Sequence, residues 1–153
     1  MSEQGALDIL INNAGVLKSG ETDKDLSESF HLNATVPFLL TKALLPFIKR
    51  SKTPKVAQIS TKMASIDDNS SGGSQAYRAS KVALNMLTRG LAIEHREVSF
   101  ALIHPGWVKT DMGGSSAPVE IKDSVLGIWN VINAMTLKTS GQYVDFKGKN
   151  IPW

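Results

Sequence analysis

Cysteine is absent from this 153-residue chain. That absence excludes disulfides, thiolate metal sites and cysteine nucleophiles. The three histidines, His31, His95 and His104, are far apart and lack a metal-ligand spacing such as H-E-x-x-H, so we expect no metal site. Aromatic residues make up only 7% of the chain, and none interleaves with the one short basic run at 49–52. The sequence therefore does not favour a nucleic-acid partner.

Long apolar runs are also missing. No stretch approaches the roughly 18 consecutive apolar residues of a membrane span, and the N-terminus lacks a basic segment followed by an apolar one. We therefore expect a cytoplasmic protein with no membrane partner. The hydrophobic share of 42%, the charged share of 20% and the net charge of +3 are ordinary for one globular domain.

Short apolar runs alternate with segments of helical periodicity along the chain. Strands are predicted at 7–12, 56–59, 98–103 and 142–146. Helices are predicted at 25–50, 75–97 and 119–135, the first with an apolar stripe that has one polar member, Asn33. Strands that alternate with helices of this length are typical of an α/β domain with a parallel sheet and helices on both faces.

Unusual residue clusters follow the first three predicted strands. They are Asn12-Asn13-Ala14-Gly15, Ser60-Thr61 and the stretch from His104 to Thr110. In an open parallel sheet, ligands bind beyond the carboxyl ends of the strands. We therefore expect a functional site at that rim.

Tyr77 and Lys81 lie four residues apart, which places them on one face of the second predicted helix. A free phenol has a pKa of about 10. A nearby ammonium favours the phenolate and lowers that pKa. The pair is therefore suited to give a proton to a carbonyl oxygen or to take one from an alcohol.

Asn33 carries a second signal. Pro37 has no N–H to donate to the Asn33 carbonyl, four residues back, so we expect a kink and a water on that carbonyl. Such a water would connect Lys81 to solvent and resupply the proton of Tyr77. The alternative is a kinked helix with a buried, satisfied asparagine.

Together these motifs resemble the short-chain dehydrogenase/reductase family, and within it the C-factor and sniffer-like carbonyl reductases. The resemblance covers essentially the whole chain. Besides the motifs described above, it rests on three stretches that are similar to this subgroup: 77–85, 104–114 and the ending Ile151-Pro152-Trp153. It implies the C-terminal portion of a Rossmann-type doubly wound parallel sheet. It also implies hydride transfer between NAD or NADP and a small carbonyl compound, with NADP favoured by the subgroup.

The resemblance implies roles for individual residues. Tyr77 would be the acid/base, Lys81 would hold the nicotinamide ribose and lower the Tyr77 pKa, Asn33 would hold the relay water, and a hydroxyl at the second strand end would bind the substrate oxygen. The other implied cofactor contacts are Asn12, Ala14 and Gly15 on the ribose and adenosine side, and Gly106, Val108 and Thr110 at the nicotinamide. Residues 112–118 would form part of a mobile lid over the substrate.

The catalytic hydroxyl is ambiguous in the sequence. Relatives usually carry two serines at this strand end, the second being catalytic, and here the second position is Thr61. Threonine keeps the hydroxyl but adds a methyl group and a stiffer χ1. Thr61 is our first choice, with Ser65 and Ser60 as the alternatives.

The glycine-rich turn that seats the cofactor pyrophosphate in this family has no counterpart in the chain. We therefore expect residues 1–153 to form one partial domain that lacks the first βα units and the residue selecting NAD or NADP. The first strand would then have a bare edge. Two functions stay open: an oxidoreductase, dimeric through its two long helices, or a catalytically inactive C-factor-like signalling or interaction protein.

Overall fold

One parallel sheet organises the fold. The computed structural model describes residues 5–153, and its four strands pair in sequence order. The strands are β1 (Ile9–Asn12), β2 (Lys55–Ile59), β3 (Ser99–His104) and β4 (Gln142–Asp145). The main helices are α1 (Asp23–Phe30), α2 (Val36–Ile48), α3 (Gln75–Glu94) and α4 (Ile121–Ala134). The predicted α/β alternation with a parallel sheet is confirmed, with ends that differ by a few residues.

The two inner strands, β2 and β3, have apolar residues on both faces because both faces are covered by helices. On one face, Ala57, Ala101 and Ile103 pack in a cluster with Ile132 of α4. On the other face, a second cluster joins strand residues to α2 and α3: Leu45, Ile48, Val56, Leu91, Ala92, Val98 and Phe100. A near-continuous apolar sequence is typical of inner parallel strands.

Helices α1 and α2 are joined by a π-helical turn, His31–Thr35. Thr22 starts α1 with a capping box, because its hydroxyl accepts from the Asp25 N–H and the Asp25 side chain bonds back to Thr22. In the π turn, the Val36 N–H donates to the carbonyl of His31, five residues back. Pro37 follows directly and has no N–H to continue the α-helical ladder. The predicted kink is therefore a π turn within a continuous helical segment.

The buried face of this helical segment differs from the predicted apolar stripe. Its buried residues are Ser29, Asn33, Ala34, Pro37, Thr41, Leu45 and Ile48. The sequence periodicity predicts an apolar stripe that includes Leu26, Phe30, Leu40 and Phe47, but these four residues are exposed. The π turn inserts a residue into the helical repeat and shifts its phase, which a constant period of 3.6 does not anticipate. Buried Thr41 is accommodated by hydrogen bonds, since its hydroxyl accepts from Asn12 and Gln58.

The segment Asp23–Ile48 is 26 residues long, and its best 18-residue window has a mean hydropathy of 1.2. Length and composition alone would let it cross a membrane, which the sequence analysis did not anticipate, and it is the one such helix in residues 5–153. Core helices of soluble proteins pass the same test. This segment buries 33% of that window, including Asn33 and Thr41, and contacts α3, β1 and β2.

β1 is an edge strand of the described sheet, hydrogen-bonded to β2 on one side. Its residue Ile11 remains 42% exposed, in contrast to the buried Ala57 that pairs with it. The outer edge of β1 therefore presents main-chain N–H and C=O groups without a neighbouring strand in the part of the chain that the structure describes.

Candidate active site

The carboxyl ends of the parallel strands bring the predicted site together at one rim. Asn12 ends β1, and Ser60 and Thr61 follow β2. Helix α3 begins after the loop that leaves β2, and its first turns carry Tyr77 and Lys81 back over the strand ends. The rim therefore collects residues from these three separate parts of the sequence, as the strand-end rule predicts.

Tyr77 is the buried centre of this arrangement, with 8% of its surface exposed. Burial raises the pKa of its phenol, and the nearby Thr61 side chain opposes that rise. Lys81 is not one of the causes of the shift. The predicted lowering of the Tyr77 pKa by Lys81 is therefore not seen here, because the lysine ammonium points elsewhere.

Of the three candidate hydroxyls, the structure places Thr61 beside the Tyr77 phenol. Ser60 Oγ donates instead to Asn85 Oδ1 at 2.6 Å, and Ser65 Oγ accepts from the Asp68 N–H at 3.1 Å. Thr61 Oγ1 accepts from the Met63 N–H at 3.2 Å, which starts a short 3₁₀ turn and fixes the side-chain rotamer. Its own hydroxyl proton stays available for another acceptor.

Lys81 is 4% exposed, and its ammonium donates to the main-chain carbonyl of Ile59 at 2.8 Å. Burial lowers the pKa of Lys81 to about 8. The group therefore remains mostly protonated at neutral pH, yet its charge is poorly solvated. A partly desolvated ammonium at this rim is a strong donor for hydroxyl or phosphate oxygens.

The Asn33 side chain fastens the loop after β1 to α3. Its Oδ1 accepts from the Val16 N–H at 2.8 Å, and its Nδ2 donates to the Val16 carbonyl at 2.8 Å and to Ser80 Oγ at 3.0 Å. Ser80 Oγ in turn donates to the carbonyl of Tyr77 at 2.8 Å. Asn33 is thus fully buried and satisfied, and it couples the loop to the turn that carries Tyr77.

Position 15 is closely packed, so a side chain there would press on its neighbours. A Cβ there would lie 3.0 Å from Asn33 Oδ1 and 3.4 Å from Lys81 Nζ. Two other residues predicted to contact the cofactor differ in exposure to solvent: Ala14 is exposed and Asn12 is half-buried. The Asn12 side chain donates to Thr41 Oγ1 at 3.0 Å, so it holds β1 against α2.

The stretch after β3 forms an irregular arm of the same rim. Gly106 has a φ of +88°, and a Cβ there would lie 3.0 Å from the Phe146 ring. Val108 forms a parallel bridge with Val119. The exposed Thr110 accepts from the Gly113 N–H at 3.2 Å through its hydroxyl, which shapes the start of the segment predicted to be a lid.

Two buried side chains that the sequence analysis did not single out also shape the rim. Arg78, 9% exposed, donates to the carbonyls of Gly73 and Met63 and to Ser71 Oγ. It therefore holds the loop between β2 and α3. Tyr143 of β4 donates from its phenol to the Thr61 carbonyl. Sequence carries no signal for this second contact, because it joins residues 82 positions apart.

The residues present fit the ribose and nicotinamide end of a dinucleotide. Lys81 supplies a buried cationic donor, and Gly15 leaves room where a Cβ would meet Asn33 and Lys81. The sequence contains neither of the glycine-rich patterns that bind the phosphates of a dinucleotide, G-x-G-x-x-G and G-x-x-x-G-x-G. The fit is therefore local to one end of the cofactor.

Comparison with known proteins agrees with this geometry. A family model described as short chain dehydrogenase matches residues 1–120. The chain is 40% identical over 156 residues to the C-signal of Myxococcus xanthus, and the match covers 97% of this chain and 94% of that protein.

Solved structures with the same fold include two carbonyl reductases. The carbonyl reductase Sniffer of D. melanogaster superimposes with a TM-score of 0.95 at 34% identity, over 99% of this chain and 68% of that one. The NADPH-bound carbonyl reductase from chicken fatty liver superimposes with a TM-score of 0.91 at 37% identity, over 97% of this chain and 66% of that one. The chain thus spans about two thirds of these reductases and nearly all of the C-signal.

Proposed function

The chain belongs to the short-chain dehydrogenase family of NAD(P)-dependent oxidoreductases, and on that premise we propose that it reduces the carbonyl group of a small molecule with Tyr77 as the acid. The observation that carries the proposal is the gathering of three buried side chains, Thr61, Tyr77 and Lys81, at the carboxyl end of β2, where the Lys81 ammonium donates to the Ile59 carbonyl and Thr61 lies near the Tyr77 phenol. Two hydroxyls beside one another at this rim can both address one carbonyl oxygen.

Each residue then has one task. Thr61 donates its hydroxyl hydrogen to the substrate oxygen, and Tyr77 transfers its proton to that oxygen as negative charge develops. Lys81 holds ribose hydroxyls with its ammonium, and Gly15 lets the cofactor approach. When bound, the nicotinamide supplies the hydride. NADP is favoured over NAD, because the chicken reductase that the chain resembles is NADPH-bound.

Asn33 is assigned a proton-relay role through its main-chain carbonyl. The π turn and the missing N–H of Pro37 leave that carbonyl without the usual α-helical donor. A water held there would reach toward Lys81, whose ammonium lies near the same loop glycine as the Asn33 side chain. The remaining predicted cofactor contacts, Asn12, Ala14, Gly106, Val108 and Thr110, belong to the same proposal.

Dimerisation through the two long helices is also proposed. Helices α2 and α3 contact each other, and both carry large apolar side chains that face outward. The most exposed are Leu39 at 55%, Leu40 at 43%, Met86 at 72% and Ile93 at 56%. Exposed apolar patches of this kind are typical of protein interfaces. Sedimentation of the wild type and of Met86→Glu tests this, since a dimer through these helices would dissociate in the variant.

A second candidate function is signalling or interaction without catalysis. It is favoured by the match along 94% of the C-signal, compared with about two thirds of each reductase, and by the lack of a phosphate-binding glycine pattern. Such a protein would keep the fold and lose the need for Tyr77 and Lys81.

Cofactor titration separates the two functions. NADPH is added to the 153-residue chain while nicotinamide fluorescence is followed, and turnover is then assayed with a panel of small aldehydes and ketones. The reductase proposal expects saturable binding, and it expects turnover that falls by at least about 1,000-fold in Tyr77→Phe with binding retained. Absence of binding at millimolar NADPH would overturn the proposal for this chain and favour the second function.

A further inference from the structure

Tyr143 lies beside the rim, below Thr61. It stands on β4, is 3% exposed, and its phenol donates to the main-chain carbonyl of Thr61. Burial dominates its environment and raises the pKa of Tyr143 well above its ordinary value, so the phenol stays protonated and remains a donor at neutral pH.

The Thr61 carbonyl is held from two sides. Besides the Tyr143 phenol, it accepts from the Ala64 N–H at 3.0 Å. The Thr61 backbone is extended, with φ −150° and ψ 149°, while the next residues enter a 3₁₀ turn. Fixing the direction of this carbonyl fixes the ψ angle of Thr61, which sets where the strand stops and where the Thr61 side chain projects.

Asn85 supports the same point from α3. It is 3% exposed, and its Oδ1 accepts from Ser60 Oγ at 2.6 Å. Its Nδ2 is buried and makes no hydrogen bond within residues 5–153, and its side chain lies close enough to the Tyr143 phenol to lower the pKa of that group against the effect of burial. The consecutive residues Ser60 and Thr61 therefore each have a hydrogen bond to this region: Ser60 to Asn85, and Thr61 to Tyr143.

We infer that Tyr143, backed by Asn85, is a positioning residue that aims the Thr61 hydroxyl at the Tyr77 phenol. This inference rests on the proposed function, because the aim matters only where Thr61 and Tyr77 share a substrate oxygen. Small misplacements of a donor are costly in such sites, since a displacement of about 1 Å can reduce the rate about 100-fold.

Substitution by phenylalanine isolates the hydrogen bond from packing. The Tyr143 ring packs in a cluster with Leu84, Leu102 and Ile151 and lies 5.4 Å from the Trp153 ring, and phenylalanine keeps these contacts. Ser99→Ala is the matched control. Ser99 is 3% exposed, and its hydroxyl also donates to a main-chain carbonyl, that of Thr136 at 2.9 Å, but at the opposite end of β3.

The first measurement uses the protein alone at neutral pH. Amide hydrogen exchange is followed by NMR at Met63, whose N–H donates to Thr61 Oγ1, and at Ala64, whose N–H donates to the Thr61 carbonyl. Exchange at both amides should rise by about tenfold in Tyr143→Phe and stay unchanged in Ser99→Ala. Unchanged exchange in Tyr143→Phe would overturn the inference.

The second measurement is turnover. Tyr143→Phe should lower kcat by about tenfold while KM for the carbonyl compound stays within about twofold, because aim affects the transition state more than binding. In a Thr61→Val background, Tyr143→Phe should lower kcat no further. An equal loss in both backgrounds would show that Tyr143 does not act through Thr61 and would also overturn the inference.

The inference can be tested even if the wild type has no activity or the variant does not fold. If the wild type shows no turnover, the proposed function fails, while the exchange data still decide whether Tyr143 fixes Thr61. If Tyr143→Phe does not fold, Asn85→Leu takes its place, with an expected rise in Met63 and Ala64 exchange of about threefold. Unchanged exchange in that variant contradicts the inference.

Discussion

The Lys81 ammonium donates a 2.8 Å hydrogen bond to the main-chain carbonyl of Ile59, the last residue of β2. A buried cation is thus held by a neutral carbonyl, and the salt bridges within residues 5–153 do not include it. Carbonyl oxygens solvate an ammonium less well than water does, which is why burial lowers the pKa of this group. Burial of this charge therefore lowers the stability of the fold at a residue that the proposed function requires.

Lys81→Met should stabilise the protein and abolish its activity. At pH 7 the folded wild type holds a buried charge, which methionine would remove. The free energy of unfolding should therefore rise by about 1–2 kcal/mol in the variant, and the gain is not larger because the hydrogen bond to the Ile59 carbonyl is lost. The unfolded chain binds the lysine proton up to pH 10.5 and the folded chain only to about 8. Wild-type stability therefore rises with pH between these values, and the gap to the variant should narrow there.

Urea unfolding at several pH values measures this effect. Lys55→Met is the control, because Lys55 also donates to main-chain carbonyls, those of Ile132 and Asn133 at the end of α4. That variant should lose stability and keep activity. A Lys81→Met protein that is less stable than the wild type at pH 7 would contradict the expectation.

Thr61 substitutions should identify the catalytic hydroxyl. Thr61→Val removes the donor and should lower kcat about 100-fold, whereas Thr61→Ser should stay within about threefold of the wild type. Ser65→Ala and Ser60→Ala should also keep kcat within about threefold, because their hydroxyls serve Asp68 and Asn85. Steady-state kinetics of the four variants with one carbonyl substrate decide the matter. A larger loss in Ser65→Ala than in Thr61→Val would move the assignment to Ser65.

Gly15→Ala should damage the site although it adds a single methyl group. The new Cβ would press on Asn33 Oδ1 at 3.0 Å, and Asn33 has little freedom to move because its amide makes three hydrogen bonds. We expect NADPH affinity to fall about tenfold and stability to fall by about 1 kcal/mol. Isothermal titration and thermal unfolding measure these changes.

Gly90→Ala is the matched control, since a Cβ at that helical position meets nothing within 4 Å. It should raise stability by about 0.5–1 kcal/mol, as alanine replaces glycine inside a helix, and leave NADPH affinity unchanged. Equal NADPH affinities for the two variants would contradict the proposed closeness of Gly15 to the cofactor.

His104 should make the fold sensitive to mild acid. Burial lowers its pKa to about 4, with Asp145 opposing and Lys62 reinforcing the shift. Between pH 6.5 and 4 the unfolded chain therefore binds more protons than the folded one, so stability is lost as pH falls through this range. In His104→Gln the loss of unfolding free energy over this range should be smaller by about 2 kcal/mol. This value is below the energy that corresponds to the whole pKa shift, because His104 is only partly buried.

The comparison is made by urea unfolding at pH 7 and pH 4.5, with His31→Gln as control because His31 is exposed. Asp25 and Glu97, whose pKa values are lowered by hydrogen bonds, contribute equally to all three proteins and cancel. The interpretation fails if wild type and His104→Gln lose the same stability between the two pH values.

Periodicity and motif spacing were sufficient to predict the α/β order and the grouping of Asn33, Thr61, Tyr77 and Lys81 at one rim. Both depend on local rules: strands alternate faces, helices repeat every 3.6 residues, and parallel strands point the same way. The direction of the Lys81 ammonium was not predictable in this manner. Spacing places it one turn from Tyr77, but only tertiary packing offers it the Ile59 carbonyl.

Two other features were not predictable from the sequence, one because it is a long-range contact and the other because it is a local departure from helical geometry. The bond from Tyr143 to Thr61 joins distant parts of the chain, and no local pattern encodes it. The π turn changes the helix phase partway along, so a stripe counted from Leu26 to Phe47 mixes residues from inward and outward faces. Long-range contacts and local departures from regular geometry thus set the limit of what this sequence reveals.

The π turn at His31–Thr35 also bears on how this region tolerates changes in length. A π turn holds one residue more than the α-helical turn that it replaces, so the helices on either side keep nearly the same direction and phase when one residue is removed. A related sequence with a one-residue gap at 31–35 should therefore still bury Thr41 and Ile48. Such a gap would damage the site only where the missing residue is Asn33, because its amide links the loop after β1 to α3.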